Sequence, residues 1–262
     1  MYYERSLAPT ITPVVMWLII INVALFIAQV GFAVAGSARL PVRWLGLDPA
    51  QVADFRLWQL VTYMFLHSVF DPLHILFNML FLYWFGRDIE VTTGSRRFLA
   101  FYLAAGIVGG LAFCATYLLL PFSVSLIGAS GAIMGVMVLY ACRFPDRIIL
   151  AFFLFPMKVK WFVLILVGVD LIIALSAMGA GALAHLGGAA FGFAYARAGP
   201  ALDRRREVRR TRRESVEAES ELDEERMLDG ILEKVRERGM QALTRREKKF
   251  LQEMSRKISG KR

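Results

Sequence analysis

The chain has 262 residues, of which 57% are hydrophobic, and a mean hydropathy of +0.51, well above the apolar share of an ordinary soluble domain. Nineteen of its 31 Lys and Arg and 14 of its 22 Asp and Glu fall in residues 203–262, which leaves only 20 charged side chains in the first 202. That separation excludes a uniform soluble globule. It also makes the net charge of +9 the mark of basic segments flanking membrane spans rather than of a nucleic-acid binder.

The first apolar run, residues 14–35, is broken only by Asn22 and Gln29 and is long enough to cross a hydrocarbon core of about 30 Å. Ala33-Val34-Ala35 resembles a signal-peptide cleavage site, but the run exceeds the length of a cleaved apolar region, so it is expected to stay as a span. Residues 36–71 form the one long outer connection, and Trp44, Phe55, Trp58 and Tyr63 with few charges place it partly in the membrane interface. Further spans are expected at 72–86, 98–120, 127–142, 161–177 and 181–198, six in all. The apolar residues 148–157 are too short to cross and are expected as an interfacial or packed loop.

An even number of spans puts both termini on one side. Arg5, Arg87, Arg96, Arg97, Arg143, Arg147, Lys158 and Lys160 share that side, against Arg39, Arg43 and Arg56 opposite, so both termini are expected in the cytoplasm. The chain divides into an N-terminal cytoplasmic segment (1–13), a six-helix membrane domain (14–199) and a charged tail (200–262) that begins after Gly199-Pro200. Cys114 and Cys142 lie in apolar runs without metal or disulfide spacing and are expected as small buried residues.

Within the tail, Leu222, Met227, Leu228, Ile231, Leu232 and Val235 recur near helical spacing, and Gly239 can end that helix. Thr244-Arg245-Arg246-Glu247 then has the form of a capping box ahead of Phe250, Leu251 and Met254. A short helical hairpin follows from these signals.

All three histidines, His67, His74 and His185, lie in or beside the apolar region, where a ring with two polar nitrogens needs a partner or a wet cavity. Gly128-Ala129-Ser130-Gly131 with Gly135, and Ala184-His185 with Gly188 and Gly192, put small residues at helical spacing on two spans. Such patterns let helices approach closely and would bring a Ser and a His within hydrogen-bond reach. His74 and Asn78, spaced i and i+4, share one helical face. A hydroxyl nucleophile, an imidazole base and polar donors together make an acyl-transfer site.

His74-x-x-x-Asn78, Gly128-x-Ser130-Gly131 and Ala184-His185-x-x-Gly188-x-x-x-Gly192, in this order, resemble the signature motifs of the rhomboid intramembrane serine proteases. The likeness runs from about Trp58 to Ala198 and includes Glu90-x-x-x-Gly94. It implies an all-α, rhomboid-like bundle of six transmembrane helices plus a short soluble helical tail. It also implies a Ser130 nucleophile, a His185 base and an oxyanion held by His74, Asn78 and the Ser130 backbone N–H, with Gly128 admitting substrate backbone.

The resembled family uses no third carboxylate, no metal and no organic cofactor, so Asp170 is expected to make a packing contact or an interhelical hydrogen bond. His67 is expected to anchor the outer loop by a hydrogen bond. Two positions depart from the pattern: Gln59 stands after Trp58 where many members have Arg, and Met134 stands where some carry an aromatic. The substrates implied are single-span or polytopic membrane proteins in the lipid bilayer of a bacterial cell membrane. The alternative is an inactive relative that binds transmembrane clients, against which the presence of both Ser130 and His185 argues. The tail, centred on Leu243-Thr244-x-x-Glu247, resembles a helical extension of some bacterial rhomboids. Its expected partner is a cytoplasmic protein or, through residues 204–213, anionic lipid.

Overall fold

The computed structural model describes residues 11–117, 125–151, 154–175 and 179–259 and contains two compact units, Met1–Gly199 and Pro200–Arg262. Arg5, the ends of the expected third and fifth spans beyond residues 117 and 175, and the start of the N-terminal segment lie outside the described residues. The side chains at 200–225, including the basic cluster at 204–213, lie outside them too.

The first unit is mostly helical. Helix α1 (Pro13–Val34) begins with Pro at its first position, where the missing N–H would have had no partner anyway. Its cap comes from elsewhere in the chain: Glu90 accepts hydrogen bonds from the backbone N–H of Val14 (3.0 Å) and Val15 (2.9 Å). Trp17 and Ile27 on α1, 59% and 65% exposed, turn outward, as does Ile172, 71% exposed. Apolar side chains presented this way have lipid as their natural solvent. Among the described residues, α1 and α7 (Ser95–Tyr117) are long and apolar enough to cross a membrane.

The outer connection folds into short helices, α2 (Arg39–Leu45), α3 (Pro49–Ala53) and α4 (Gln59–Thr62). Gln59 is fully buried; its carbonyl accepts from Asp48 N–H (3.0 Å) and its amide donates to Gln51 (3.1 Å). A neutral amide thus stitches this loop where an arginine would bring a buried charge.

The helix that begins the second expected span continues past residue 86. Helix α5 (Pro72–Phe81) passes through one wide turn (Leu82–Gly86) into α6 (Arg87–Thr93), so the helical path continues to Thr93. Helix α8 (Ser130–Arg143) starts three residues later than the span boundary expected at 127. Leu47 and Leu126 exchange both backbone hydrogen bonds at 2.9 Å, and this bridge holds the preceding chain outside the helix until Ser130.

The interfacial or packed loop expected at residues 148–157 is corrected to a strand pair within the mostly helical fold. Strands β1 (Ile148–Ala151) and β2 (Phe155–Lys158) form an antiparallel hairpin, with Ile148 opposite Lys158 and Ala151 opposite Phe155. Ile148 and Leu150 face out while Ala151 is buried, the two-residue alternation of a half-buried strand. A short β-branched apolar run with no room for several helical turns is satisfied by this pairing.

Helix α9 (Val159–Ala174) buries Val159, Phe162, Val163 and Asp170. Helix α10 runs Ala180–Arg238. Cys142 is exposed and Cys114 half-buried, so neither is the fully enclosed apolar residue expected.

In the second unit the helix stops at Arg238, where Gly239 takes φ +74°. Helix α11 (Arg245–Ser259) starts with the expected reciprocal cap: Thr244 N–H donates to Glu247 (2.6 Å) and Glu247 N–H to the Thr244 hydroxyl (3.3 Å). Lys234 joins the two helices through Glu247 at 3.0 Å, and Ile231 and Leu243 are buried, whereas Met227 and Leu232 are exposed and lie off the packed stripe.

Candidate active site

Ser130 is the first residue of α8, and its Oγ lies 2.7 Å from His185 Nε2 on α10. The opposite ring nitrogen, His185 Nδ1, lies 3.0 Å from Asp170 Oδ1 on α9. Three helices therefore contribute one side chain each to a continuous chain of contacts.

Backbone thickness sets the first of these distances. A Cβ on Gly131 would sit 3.2 Å from the Ala184 carbonyl oxygen, and one on Gly135 would sit 2.9 Å from that of Gly188. In the other direction, a Cβ on Gly188 or Gly192 would collide with the carbonyl oxygens of Gly131 and Gly135. Helix α7 closes on α10 in the same manner, since a Cβ on Gly109 would fall 2.6 Å from the Ala184 oxygen. The small-residue spacing expected to join these helices does so through direct backbone contact.

A cavity of about 340 Å³ opens beside Ser130 and His185. Its wall includes His74 and Asn78 from α5, Met134 and Met137 from α8, and Asp170. Asn78 is buried, and its amide Nδ2 has no hydrogen-bond partner among the described residues. A buried donor left open costs free energy unless something transient uses it. Gly128 adopts φ +122°, a conformation that side chains disfavour, and its ideal Cβ position lies 2.7 Å from His74 Nε2. Both facts require glycine there. Gly128 N–H donates to the Tyr63 carbonyl (3.0 Å), and the Tyr63 hydroxyl to the Gly106 carbonyl (2.7 Å), which fixes the loop ahead of Ser130.

The structure thus brings together all five expected residues: Ser130 and His185 in contact, His74 and Asn78 on the cavity wall, and Gly128 against His74. A family model for the rhomboid domain matches residues 54–200, more than half of the chain. The chain belongs to the rhomboid family. That family is one of integral membrane proteins. A family of unknown function, DUF6576, matches residues 216–257, the hairpin of the tail.

Among curated rhomboids, Rhomboid protease GluP of Bacillus subtilis is 40% identical over 84 residues, covering 32% of this chain and 15% of the relative. Rhomboid-like protease 3 of Toxoplasma gondii is 32% identical over 140 residues, covering 50% and 51%. Rhomboid protease GlpG of Pectobacterium atrosepticum is 27% identical over 146 residues, covering 55% and 49%. The matched segments span about half, or less, of these relatives' own lengths.

Three further polar residues of this rhomboid support the site without matching its motif logic. Gln29 on α1 clasps the backbone of His67, donating to its carbonyl and accepting from its N–H, both at 3.0 Å. The anchoring expected of His67 is therefore made by its backbone. Its ring is fully buried, packs edge-on 5.0 Å from the His74 ring and makes no hydrogen bond among the described residues. Asp170 was legible as a lone acid in an apolar run, a costly placement that asks for a partner, but nothing in the linear order points to His185. Met134 is buried in the same cavity wall as His185, a position that a flexible thioether can fill.

Proposed function

We propose that this rhomboid is a serine endopeptidase that cleaves membrane proteins in or near a transmembrane segment. The observation that carries the proposal is the 2.7 Å separation of Ser130 Oγ and His185 Nε2 in a cavity that also presents the Asn78 Nδ2, which has no partner among the described residues. Relatives that carry the names rhomboid protease or rhomboid-like protease, at 27% to 40% identity, support the same reading.

In this scheme Ser130 Oγ bonds to the scissile carbonyl carbon as its proton passes to His185 Nε2, and the carbonyl electron pair moves to oxygen. The resulting oxyanion accepts hydrogen bonds from Asn78, His74 and the Ser130 N–H in the first turn of α8, whose N–H groups lack intrahelical partners. Breaking the C–N bond sends the His185 proton to the leaving amine. Water then attacks the acyl ester, returns a proton to His185, and the ester bond breaks to restore the Ser130 hydroxyl.

We further place six spans in a bacterial cell membrane, carried by α1, α5, α7, α8, α9 and the start of α10, with both termini cytoplasmic. The cationic residues Arg87, Arg143, Arg147, Lys158 and Lys160 on that side support the orientation. Residues 200–262 form a separate cytoplasmic module for a protein partner or anionic lipid. The test of activity is cleavage of a panel of single-span substrates by purified wild-type protein and Ser130→Ala. Wild-type cleavage absent from the correctly inserted variant is expected; equal cleavage by both would remove Ser130 as nucleophile.

A further inference from the structure

We infer that Asp170 is the positioning residue that holds His185 in the tautomer able to accept the Ser130 proton, which makes the site a three-residue constellation rather than a pair. The inference rests on the proposed Ser130 chemistry, and it adds a residue that the resemblance to the family leaves out.

The geometry is specific. Asp170 Oδ1 lies 3.0 Å from His185 Nδ1, while Ser130 Oγ lies 2.7 Å from Nε2, so the acid and the nucleophile occupy opposite nitrogens of one ring. A carboxylate can only accept a hydrogen bond. The proton must then reside on Nδ1, which leaves the Nε2 lone pair directed at the Ser130 hydroxyl. Without this partner, neutral imidazole is free to carry its proton on Nε2, where it cannot act as a base toward Ser130.

The location argues for the same role. Asp170 is buried on the inner face of α9 that also carries Phe162 and Val163, and its side chain is only 12% exposed. No other charged residue occurs between Lys160 and Arg197. An acid so isolated in an apolar helix is costly unless paired, and the pairing observed is with the proposed base. When His185 takes the Ser130 proton it becomes a cation, and Asp170 is the adjacent group of opposite charge. The step moves one proton from Oγ to Nε2, and the Nδ1 proton stays in place.

A plain tether between α9 and α10 would need the hydrogen bond but not the tautomer, and the two roles separate experimentally. The full-length protein in detergent, with a single-span substrate whose cleavage requires Ser130, is compared with Asp170→Ala, Asp170→Asn and Asp170→Glu. The measurements are kcat, KM, and the rate at which a fluorophosphonate labels Ser130. Nitrogen-15 histidine spectra, assigned with His185→Ala, report the tautomer of His185 in wild type, Ser130→Ala and Asp170→Ala.

Loss of the orienting carboxylate is expected to lower kcat and the labelling rate together, by roughly 10²-fold or more, with little change in KM. Asp170→Glu recovers part of the loss. The Nδ1–H tautomer is expected in wild type and in Ser130→Ala and is lost in Asp170→Ala. Wild-type His185 protonated on Nε2 would overturn the inference, even if every Asp170 variant failed to fold. So would an Asp170→Ala protein that melts earlier yet labels at the wild-type rate, because Asp170 would then be a tether. Undiminished cleavage by Ser130→Ala would instead defeat the proposed protease chemistry, with the tautomer still deciding the Asp170–His185 pair.

Discussion

Two polar clusters sit within the same apolar bundle, and they are finished differently. Around Glu90 every acceptor position is used: Oε1 takes Val14 N–H (3.0 Å) and the Ser95 hydroxyl (2.6 Å), and Oε2 takes the Thr12 hydroxyl (2.5 Å) and Val15 N–H (2.9 Å). Burial pushes the Glu90 carboxyl up, but these hydrogen bonds outweigh it and hold its pKa below the ordinary value. Around Ser130 the opposite holds, since Asn78 Nδ2 has no partner among the described residues and faces an open volume. A saturated polar cluster has no bond left to offer a visitor and serves the fold. An unsaturated one carries a standing cost, which is relieved only when a transient group arrives.

The sharpest way to break this contrast is to remove the proposed reacting groups. Ser130→Ala or His185→Ala should each lower cleavage by roughly 10⁴-fold or more, the double variant should be no worse, and thermal stability should hold. Kinetics and melting curves on the same preparations check both halves. Next in size, Asn78→Ala should reduce kcat by about 10²- to 10³-fold while keeping measurable turnover, since one donor of the proposed oxyanion site is lost. Unchanged kcat would mean that the open amide serves something other than the reaction.

The other cluster should respond in the opposite currency. Glu90→Ala is expected to destabilise the fold by roughly 2–4 kcal/mol, because it removes a cap and several charge-assisted hydrogen bonds. Denaturation midpoints check this, and cleavage per folded molecule should be nearly unchanged. Because the folded-state pKa of Glu90 is depressed, its stabilisation is fully present above the ordinary carboxylate value near 4.5 and fades as pH falls through the lowered one. The wild-type midpoint should therefore drop on acidification in a way that Glu90→Gln lacks.

The smallest effect belongs to the tail. The Thr244 N–H beside Glu247, with Lys234 and the Thr244 hydroxyl, holds its carboxyl at about 2. The tail hairpin should hold its helical signal down to about pH 4.5 and lose part of it toward pH 2. Glu247→Gln should show the loss already at neutral pH, read by circular dichroism, with membrane cleavage unaltered. Truncation after Gly199 should likewise insert and cleave.

The contact between Ser130 and His185 is readable from sequence because glycine spacing on two helices constrains their separation before any side chain is considered. The capping box at Thr244 is readable because it is local, closing within three residues. What sequence hides is long-range or ambiguous in period. The cap that Glu90 supplies to α1 joins residues 75 to 78 positions apart, and no local pattern announces it. The hairpin at 148–158 arises from a short apolar run, and such runs do not distinguish strand from loop or helix. The start of α8 depends on the Leu47–Leu126 bridge, which no reading of hydrophobicity from residue 127 onward can detect. Asp170 was visible as an anomaly, yet its partner is a tertiary fact.

The glycine seam between α8 and α10 has a consequence for how this protein tolerates change. Where large side chains set the gap between two helices, each substitution moves the gap a little, and errors accumulate with repacking. Here the spacer is the peptide group itself, whose thickness no mutation alters. Drift on the lipid-facing surfaces of these helices can be extensive while the distance from Ser130 to His185 stays fixed. A single added methyl group at Gly188 or Gly192, by contrast, meets a carbonyl oxygen with no flexible atom to absorb it. The site is thus insulated against many small perturbations and brittle to a very few.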